Sequence, residues 1–252
     1  MQNILKLTLL SLSITFASLA TADCDCDEDK PERKLYLGIE GGWSAALKKS
    51  FIHKETKVTG SLKSSPFYGG IVGYRFYPGM AIEANFQHKP KYFMNFVLPA
   101  KDLGGGNTLD KTPGKVRVIS NIYMIGLTYD FPAFGKIVPY VGIDGGIAQI
   151  KTKYLPLKRN IQMAGNTTTS QEVFRIKNKS NISPAAQLTL GLSSEIADGL
   201  RVNLAGRIQV IKDAKISYEE LNTMTGSFDS KKLKQTLGVS EVVVGLTYDL
   251  PI

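Results

Sequence analysis

Long hydrophobic runs are what this sequence of 252 residues most plainly lacks. Beyond Met1 to Ala22, no segment offers the roughly 20 unbroken apolar residues that take a helix across a bilayer. Any later membrane crossing must therefore be made by the strands of a closed barrel, the other structure that satisfies every backbone polar group in lipid. Cysteine is scarce as well. Cys24 and Cys26 are the whole supply, which excludes a disulfide framework spread through the fold. A metal site on that pair would need two further ligands where the neighbouring residues offer only carboxylates, so no metal is expected. Asp23 stands where a lipoprotein signal wants a small residue, and the pair reads as structurally incidental or as an exposed redox-labile pair.

Histidine is limited to His53 and His88, and neither has a serine at a diagnostic spacing. His53 lies beside Glu55 in a lysine-rich stretch and reads as a solvated surface residue. His88 shares the face of Ile82, Ala84 and Phe86, which suits a membrane interface better than a catalytic base. Gly104-Gly105-Gly106 lacks the Lys-Ser/Thr that a phosphate-binding loop needs and reads as a loop tip. No catalytic residue, cofactor or enzymatic activity is expected.

Met1 to Ala22 has a polar start with Lys6, an apolar centre (Leu7, Leu9, Leu10, Leu12, Ile14, Phe16) and a small-residue close at Ala20-Thr21-Ala22. That pattern predicts a secretory signal over 1–22. Residues 23–34 read as a flexible periplasmic arm, and 35–252 as one all-β domain.

Within that domain, Ile125-Gly126-Leu127-Thr128-Tyr129-Asp130-Phe131-Pro132 recurs as Val244-Gly245-Leu246-Thr247-Tyr248-Asp249-Leu250-Pro251. Both copies close a two-residue alternation, the period of a strand. In the second copy Val242, Val244, Leu246, Tyr248 and Leu250 share one face, with Glu241, Gly245, Thr247 and Asp249 on the other. The same period predicts strands near Leu35 to Leu47, Phe67 to Tyr77, Met80 to His88, Val116 to Phe131, Ile137 to Lys151, Ser183 to Ile196, Leu200 to Lys212 and Leu237 to Leu250. Tight turns built from Pro, Gly and Asp at 77–80, 132–136 and 197–199 alternate with long polar connections at 48–66, 89–115, 152–182 and 213–236. The expectation is an eight-stranded antiparallel transmembrane β-barrel with short periplasmic turns and four long extracellular loops.

A soluble β-sandwich also alternates, so the less apolar row decides. It carries Glu40, Arg75, Glu83, Asp144, Glu195, Arg201, Arg207 and Glu241, with Asn85, Gln87, Gln187 and Asn203 among them. A sandwich core could not hold both signs of charge in such number. The filled bore of an eight-stranded barrel can, by pairing them. Strand glycines such as Gly73 and Gly191 relieve crowding there, and no open pore is expected. Tyr129, Phe131, Tyr248, Tyr77 and Phe76 fall at short-turn ends, as an interfacial girdle would. The chain ends Pro251-Ile252 without the aromatic residue on which such barrels usually finish.

The formal charge is +9, and removing the signal with its single Lys6 leaves +8. Much of the excess lies in the long connections, where a basic crown can dock lipopolysaccharide heads or steer acidic glycans and protein segments. The alternative is that these lysines merely keep long loops soluble. Nucleic acid is not an expected partner of a secreted barrel. The candidate contact residues are Lys48, Lys49, Lys54 and Lys57 in the first loop, Lys158, Arg159 and Arg175 in the third, and Tyr218, Phe228, Lys231 and Lys232 in the fourth. Aromatic and cationic side chains of this kind are common binding hot spots.

Several stretches carry a resemblance. They are Ala22-Asp23-Cys24-Asp25, Leu35-Tyr36-Leu37, Tyr140-Val141-Gly142-Ile143-Asp144-Gly145-Gly146-Ile147-Ala148, Gln187-Leu188-Thr189-Leu190-Gly191, Ser194-Glu195-Ile196-Ala197-Asp198-Gly199-Leu200-Arg201 and the final Val244 to Asp249. In these the chain resembles the small outer-membrane adhesins of rickettsial bacteria, within the broader OmpA-like barrel group. The likeness spans the strands and not the loops. It implies attachment to host cells, with a host extracellular or serum protein such as vitronectin as partner; the barrel itself is expected to be monomeric and to lie in the outer membrane.

Overall fold

The computed structural model describes residues 34–47, 51–53, 58–98, 100–104, 107–153, 155–162, 168–222 and 227–250. The expected signal, residues 23–33 of the expected arm with Cys24 and Cys26, and the last two residues lie outside them, while Lys34 already pairs with Arg75 in the barrel. Eight long strands carry the fold: β1 (Lys34–Ala46), β2 (Ser65–Tyr77), β3 (Met80–Leu98), β4 (Thr112–Asp130), β5 (Ile137–Thr152), β6 (Lys179–Ala197), β7 (Leu200–Leu221) and β8 (Phe228–Leu250). Each pairs antiparallel with the next in the chain. β8 also pairs with β1, from Leu35 opposite Leu250 to Ala46 opposite Val239, so the eight long strands close on themselves, each with a partner on both sides.

The wall alternates as the sequence requires. Leu37, Ile39 and Trp43 of β1, Ile125 and Leu127 of β4, Leu188, Leu190 and Leu192 of β6, and Val242, Val244 and Leu246 of β8 are exposed on the outside. Glu40, Gln87, Asp144, Gln187, Arg207 and Glu241 are buried inside. Tyr77, Tyr129 and Tyr248 stand exposed at the short-turn ends, with Tyr129 meeting Phe131 edge-on at 5.0 Å. Trp43, Tyr68 and Tyr123 are exposed on the same outer wall nearer the opposite end. From Asn121 to Asp130 the strand rises about 30 Å, or about 23 Å along the barrel axis at the usual tilt, which matches the apolar band of an outer-membrane barrel.

The tight turns are where expected. Gly79 and Gly199 take left-handed angles there (φ 74° and 69°), and their carbonyls accept the Asp130 and Asp249 amides at 2.7 and 2.8 Å. The long connections differ from expectation, because much of them is sheet. β3 continues to Leu98 instead of ending near His88, β7 continues to Leu221, and β8 begins at Phe228. Short strands fill much of the rest. Phe51–His53 pairs with Val58–Leu62, which lies on β3; Lys101–Gly104 pairs with Asn107–Leu109; Leu155–Gln162 pairs with Thr168–Ile176, which lies on β7.

The physical reason lies inside the barrel. Towards the long-loop end the filling changes from polar to apolar, and Tyr92, Val116, Val118, Ile122, Ile150, Val173, Phe174, Ile176, Ile211 and Tyr218 form one buried cluster. Those side chains reward continued strand pairing above the membrane. Polarity read from the sequence registered the outward lysines of this region and missed the apolar row between them.

β7 bends at a bulge between Ile211 and Ala214, where Asp213 has φ 51° and its carbonyl accepts the Ser183 hydroxyl at 3.2 Å. A β-branched residue tolerates that angle poorly. Asp213→Val is expected to lower stability by about 1–2 kcal/mol while Asp213→Gly stays near the parent. Urea titration of folding into lipid vesicles measures both.

Candidate functional site

Two regions hold the polar chemistry of the barrel: the bore, and the sheet that rises beyond the membrane. In the bore, Arg207 on β7 reaches Glu40 on β1 as a fork, Nη1 to Oε1 at 2.6 Å and Nη2 to Oε2 at 2.5 Å. Both side chains are almost wholly removed from solvent. Such a bidentate pair fixes two strands in register as well as neutralising both charges. Asp144 on β5 accepts the Asn85 and Gln187 amides, each at 3.1 Å. Gln87, Gln187 and Gln209 form a ring of side-chain amides at 3.0–3.3 Å. Lys89 sits above it, donating to the Gln209 carbonyl at 2.6 Å and to Glu241, with both members of that ion pair buried. Nearer the short turns the Tyr36 hydroxyl donates to Glu83. At the mouth Arg75 and Arg201 hold Asp249 at 2.5 and 3.5 Å, and each lies 3.9 Å from Asp130.

Seven of the eight residues expected to form the interior charge network are therefore in it: Glu40, Arg75, Glu83, Asp144, Arg201, Arg207 and Glu241. Glu195 is not. A bulge lies between it and Ala197 in the pairing with β7, and its exposed carboxylate accepts the Gly199 amide at 3.0 Å, so it caps a turn at the rim. Three members were missed. Lys89 falls within the expected second loop, although the two-residue period runs on from Asn85 through Gln87 to reach it. Asp130 and Asp249 occupy the same place in the repeated Thr-Tyr-Asp, and the repeat itself was the signal that they share a site. A cavity of about 50 Å³ lies in this polar half between Tyr36, Glu83, Asp144, Thr189 and Arg207. That volume suits a few waters.

The sheet beyond the membrane gathers some of the expected contact residues into a knot. Arg175 pairs with Glu219, and its guanidinium lies 4.0 Å from the Phe228 ring. Lys177 reaches the same carboxylate at 2.6 Å. Hydrogen bonds from Lys177 and Arg175 hold the Glu219 carboxyl below the usual carboxylate range, so this contribution to folding is present at neutral pH and is lost as pH falls through the lowered value. Tyr218, expected as an exposed anchor, is buried and stacked on Phe174 at 4.9 Å. Its strand position turns the ring into the apolar cluster. Lys231 is bound to Glu220 at 2.8 Å. Lys158 and Lys232 are exposed. Arg159 lies in the strand Leu155–Gln162, and its side chain is outside the described set, as are Lys48, Lys49, Lys54 and Lys57 altogether. His88 is on the outer wall, Nδ1 to the Asn121 side-chain oxygen at 2.6 Å, as its face required. The side chain of His53 is not described.

A closed antiparallel sheet with an apolar outer belt, aromatic residues near both edges and a filled polar bore is a transmembrane β-barrel. No protein-family model matches the chain. A protein of Rickettsia prowazekii (strain Madrid E), known only as uncharacterized protein RP788, is 29% identical over 185 residues, covering 73% of this chain and 99% of its own. Among solved structures, the outer membrane protein OprG of Pseudomonas aeruginosa aligns over 87% of this chain and 98% of its own, with a TM-score of 0.50 at 13% identity. Neisserial surface protein A aligns over 85% and 96%, with a TM-score of 0.44 at 9% identity. The likeness to OprG is one of fold. Together with the belt, it makes this chain a β-barrel of the bacterial outer membrane.

Proposed function

We propose that this barrel is a non-enzymatic, monomeric adhesin that presents a stiff, lysine-bearing sheet at its long-loop end to acidic segments of a host extracellular protein. One observation carries the reading. The strands continue past the apolar belt around their own apolar core, and they leave Lys158, Lys232 and Lys234 exposed there, with Lys111 exposed just before β4. A rigid platform loses little conformational entropy on binding, and a surplus of one charge sign speeds encounter with an oppositely charged partner. The filled bore gives no support to a solute channel.

Beads coated with the barrel, offered vitronectin and other labelled host surface proteins, test the proposal. Changing Lys48, Lys49, Lys54, Lys57, Lys158 and Lys232 to Gln is expected to weaken retention about tenfold at low salt and much less at high salt. Equal retention by parent and variant at both salt concentrations would sink it. A purely structural barrel would retain no host protein in either form.

A further inference from the structure

We propose that the outer wall of β4 and β5 carries a binding site for the phosphorylated headgroup of a membrane lipid. β4 turns Val116, Val118, Ser120 and Ile122 into the barrel, which sends Lys115, Arg117, Ile119 and Asn121 outward. β5 turns Ala148, Ile150 and Thr152 inward, which sends Gln149 and Lys151 outward. Lys151 stands opposite Ile119, and the Lys153 amide donates to the Arg117 carbonyl at 3.3 Å. Four cations, Lys115 and Arg117 on β4 with Lys151 on β5 and Lys153 just past its end, thus share one patch. Among the described residues none of the four enters an ion pair.

What lies beneath the patch points to the ligand. One step down, a polar shelf crosses the wall. The Tyr68 ring packs on His88 at 5.1 Å, His88 meets Asn121, and Asn121 donates to the Gln149 side-chain oxygen at 3.3 Å. One step further down the wall is apolar: Tyr123 is exposed opposite the exposed Ile147, and it lies 5.1 Å from Phe86. Reading down, the wall offers positive charge, then hydrogen-bonding groups, then hydrocarbon. That is the order of phosphate, polar linkage and acyl chain in a lipid held upright against the barrel. Lys115 is braced over the Phe93 ring at 4.1 Å, and Arg117 donates through Nε and an Nη to the Pro90 carbonyl at 3.3 Å, so two of the four cations are held in place. An acidic protein segment would find hydrocarbon below the charge and no reason to stay.

This inference concerns the side wall and stands apart from the adhesin reading, which concerns the crest. The full chain, refolded in detergent, is titrated with diphosphorylated lipid A and with its phosphate-free form, with binding followed by native mass spectrometry. The parent is expected to retain phosphorylated lipid A at least about tenfold better than the phosphate-free form, in a salt-sensitive manner. Changing Lys115, Arg117, Lys151 and Lys153 to Gln is expected to erase that preference. A control with the same charge change, Lys111→Gln, Lys136→Gln, Lys232→Gln and Lys234→Gln, is expected to keep it. Folding of each variant is read from its heat-dependent migration on gels, and Lys151→Gln with Lys153→Gln replaces the fourfold variant if that one does not fold. A preference that survives loss of the patch, a loss equal in the control, or displacement of the lipid by inorganic phosphate at comparable concentration overturns the proposal.

Discussion

Arg207→Leu is expected to destabilise the barrel by about 3–5 kcal/mol, among the largest effects a single side chain can have here. The cost comes mostly from what is left behind. Glu40 is buried, and without the guanidinium fork its carboxylate keeps its desolvation penalty and loses both charge-assisted hydrogen bonds. Adding Glu40→Leu in the same chain removes the orphaned charge, so the double variant is expected to recover much of the loss. The Lys89 and Glu241 pair should behave alike, since both side chains are equally buried and Lys89 also holds Gln209. Urea-dependent refolding of the single and double variants into vesicles gives the coupling energy directly. Additive single losses, with no recovery in the double variant, would show that the fork does not bind β7 to β1 in the way the geometry implies.

Gly191→Val and Gly73→Val are expected to prevent folding outright. Each glycine stands directly opposite an aromatic residue across a strand pair, Gly73 opposite Tyr36 and Gly191 opposite Tyr140. In each case the ring lies over the glycine so closely that a Cβ would fall within the ring's own space. Overpacking of a closed bore has little outlet, because the wall cannot move outward without breaking its ladder of hydrogen bonds, and the cavity of about 50 Å³ beside Tyr36 and Tyr140 offers room for only a few waters. At Gly73 the displaced Tyr36 would also leave Glu83, whose carboxylate takes its hydroxyl. Gly145 supplies the control: it faces outward, nothing lies near its virtual Cβ, and Gly145→Ala should fold like the parent. Heat-modifiable migration after refolding separates the cases, and a normally folding Gly191→Val chain would contradict the packing described here.

The strand count, the antiparallel order and the assignment of faces were legible in the sequence because a two-residue period is a local property. Val242 to Leu250 alternates whatever the rest of the chain does, and a charge such as Glu40 or Arg207 on the polar row can only go inside a barrel whose outside is lipid. Which charge meets which was not legible. Glu40 and Arg207 are 167 positions apart in the chain, and only closure of the sheet through β8 brings them together. Glu195 keeps the inward phase of Gln187, Thr189 and Ser193 but is the last such position before the bulge and the turn, which leaves it at the rim, and the same period continuing to Lys89 carries that lysine into the bore. Tyr218 and Arg175 looked like surface anchors because their neighbours are polar, but the ring of Tyr218 belongs to an apolar cluster assembled from several strands.

By itself, then, the sequence determined a barrel with an oily outside and a charged inside, since alternation along one strand needs no partner to be read. Only the tertiary structure decided the pairing of the buried charges, the apolar filling of the upper half and the rise of the sheet above the membrane. Each of these depends on which residues of distant strands face one another across a closed bore, and that is set by register, a property of pairs of strands.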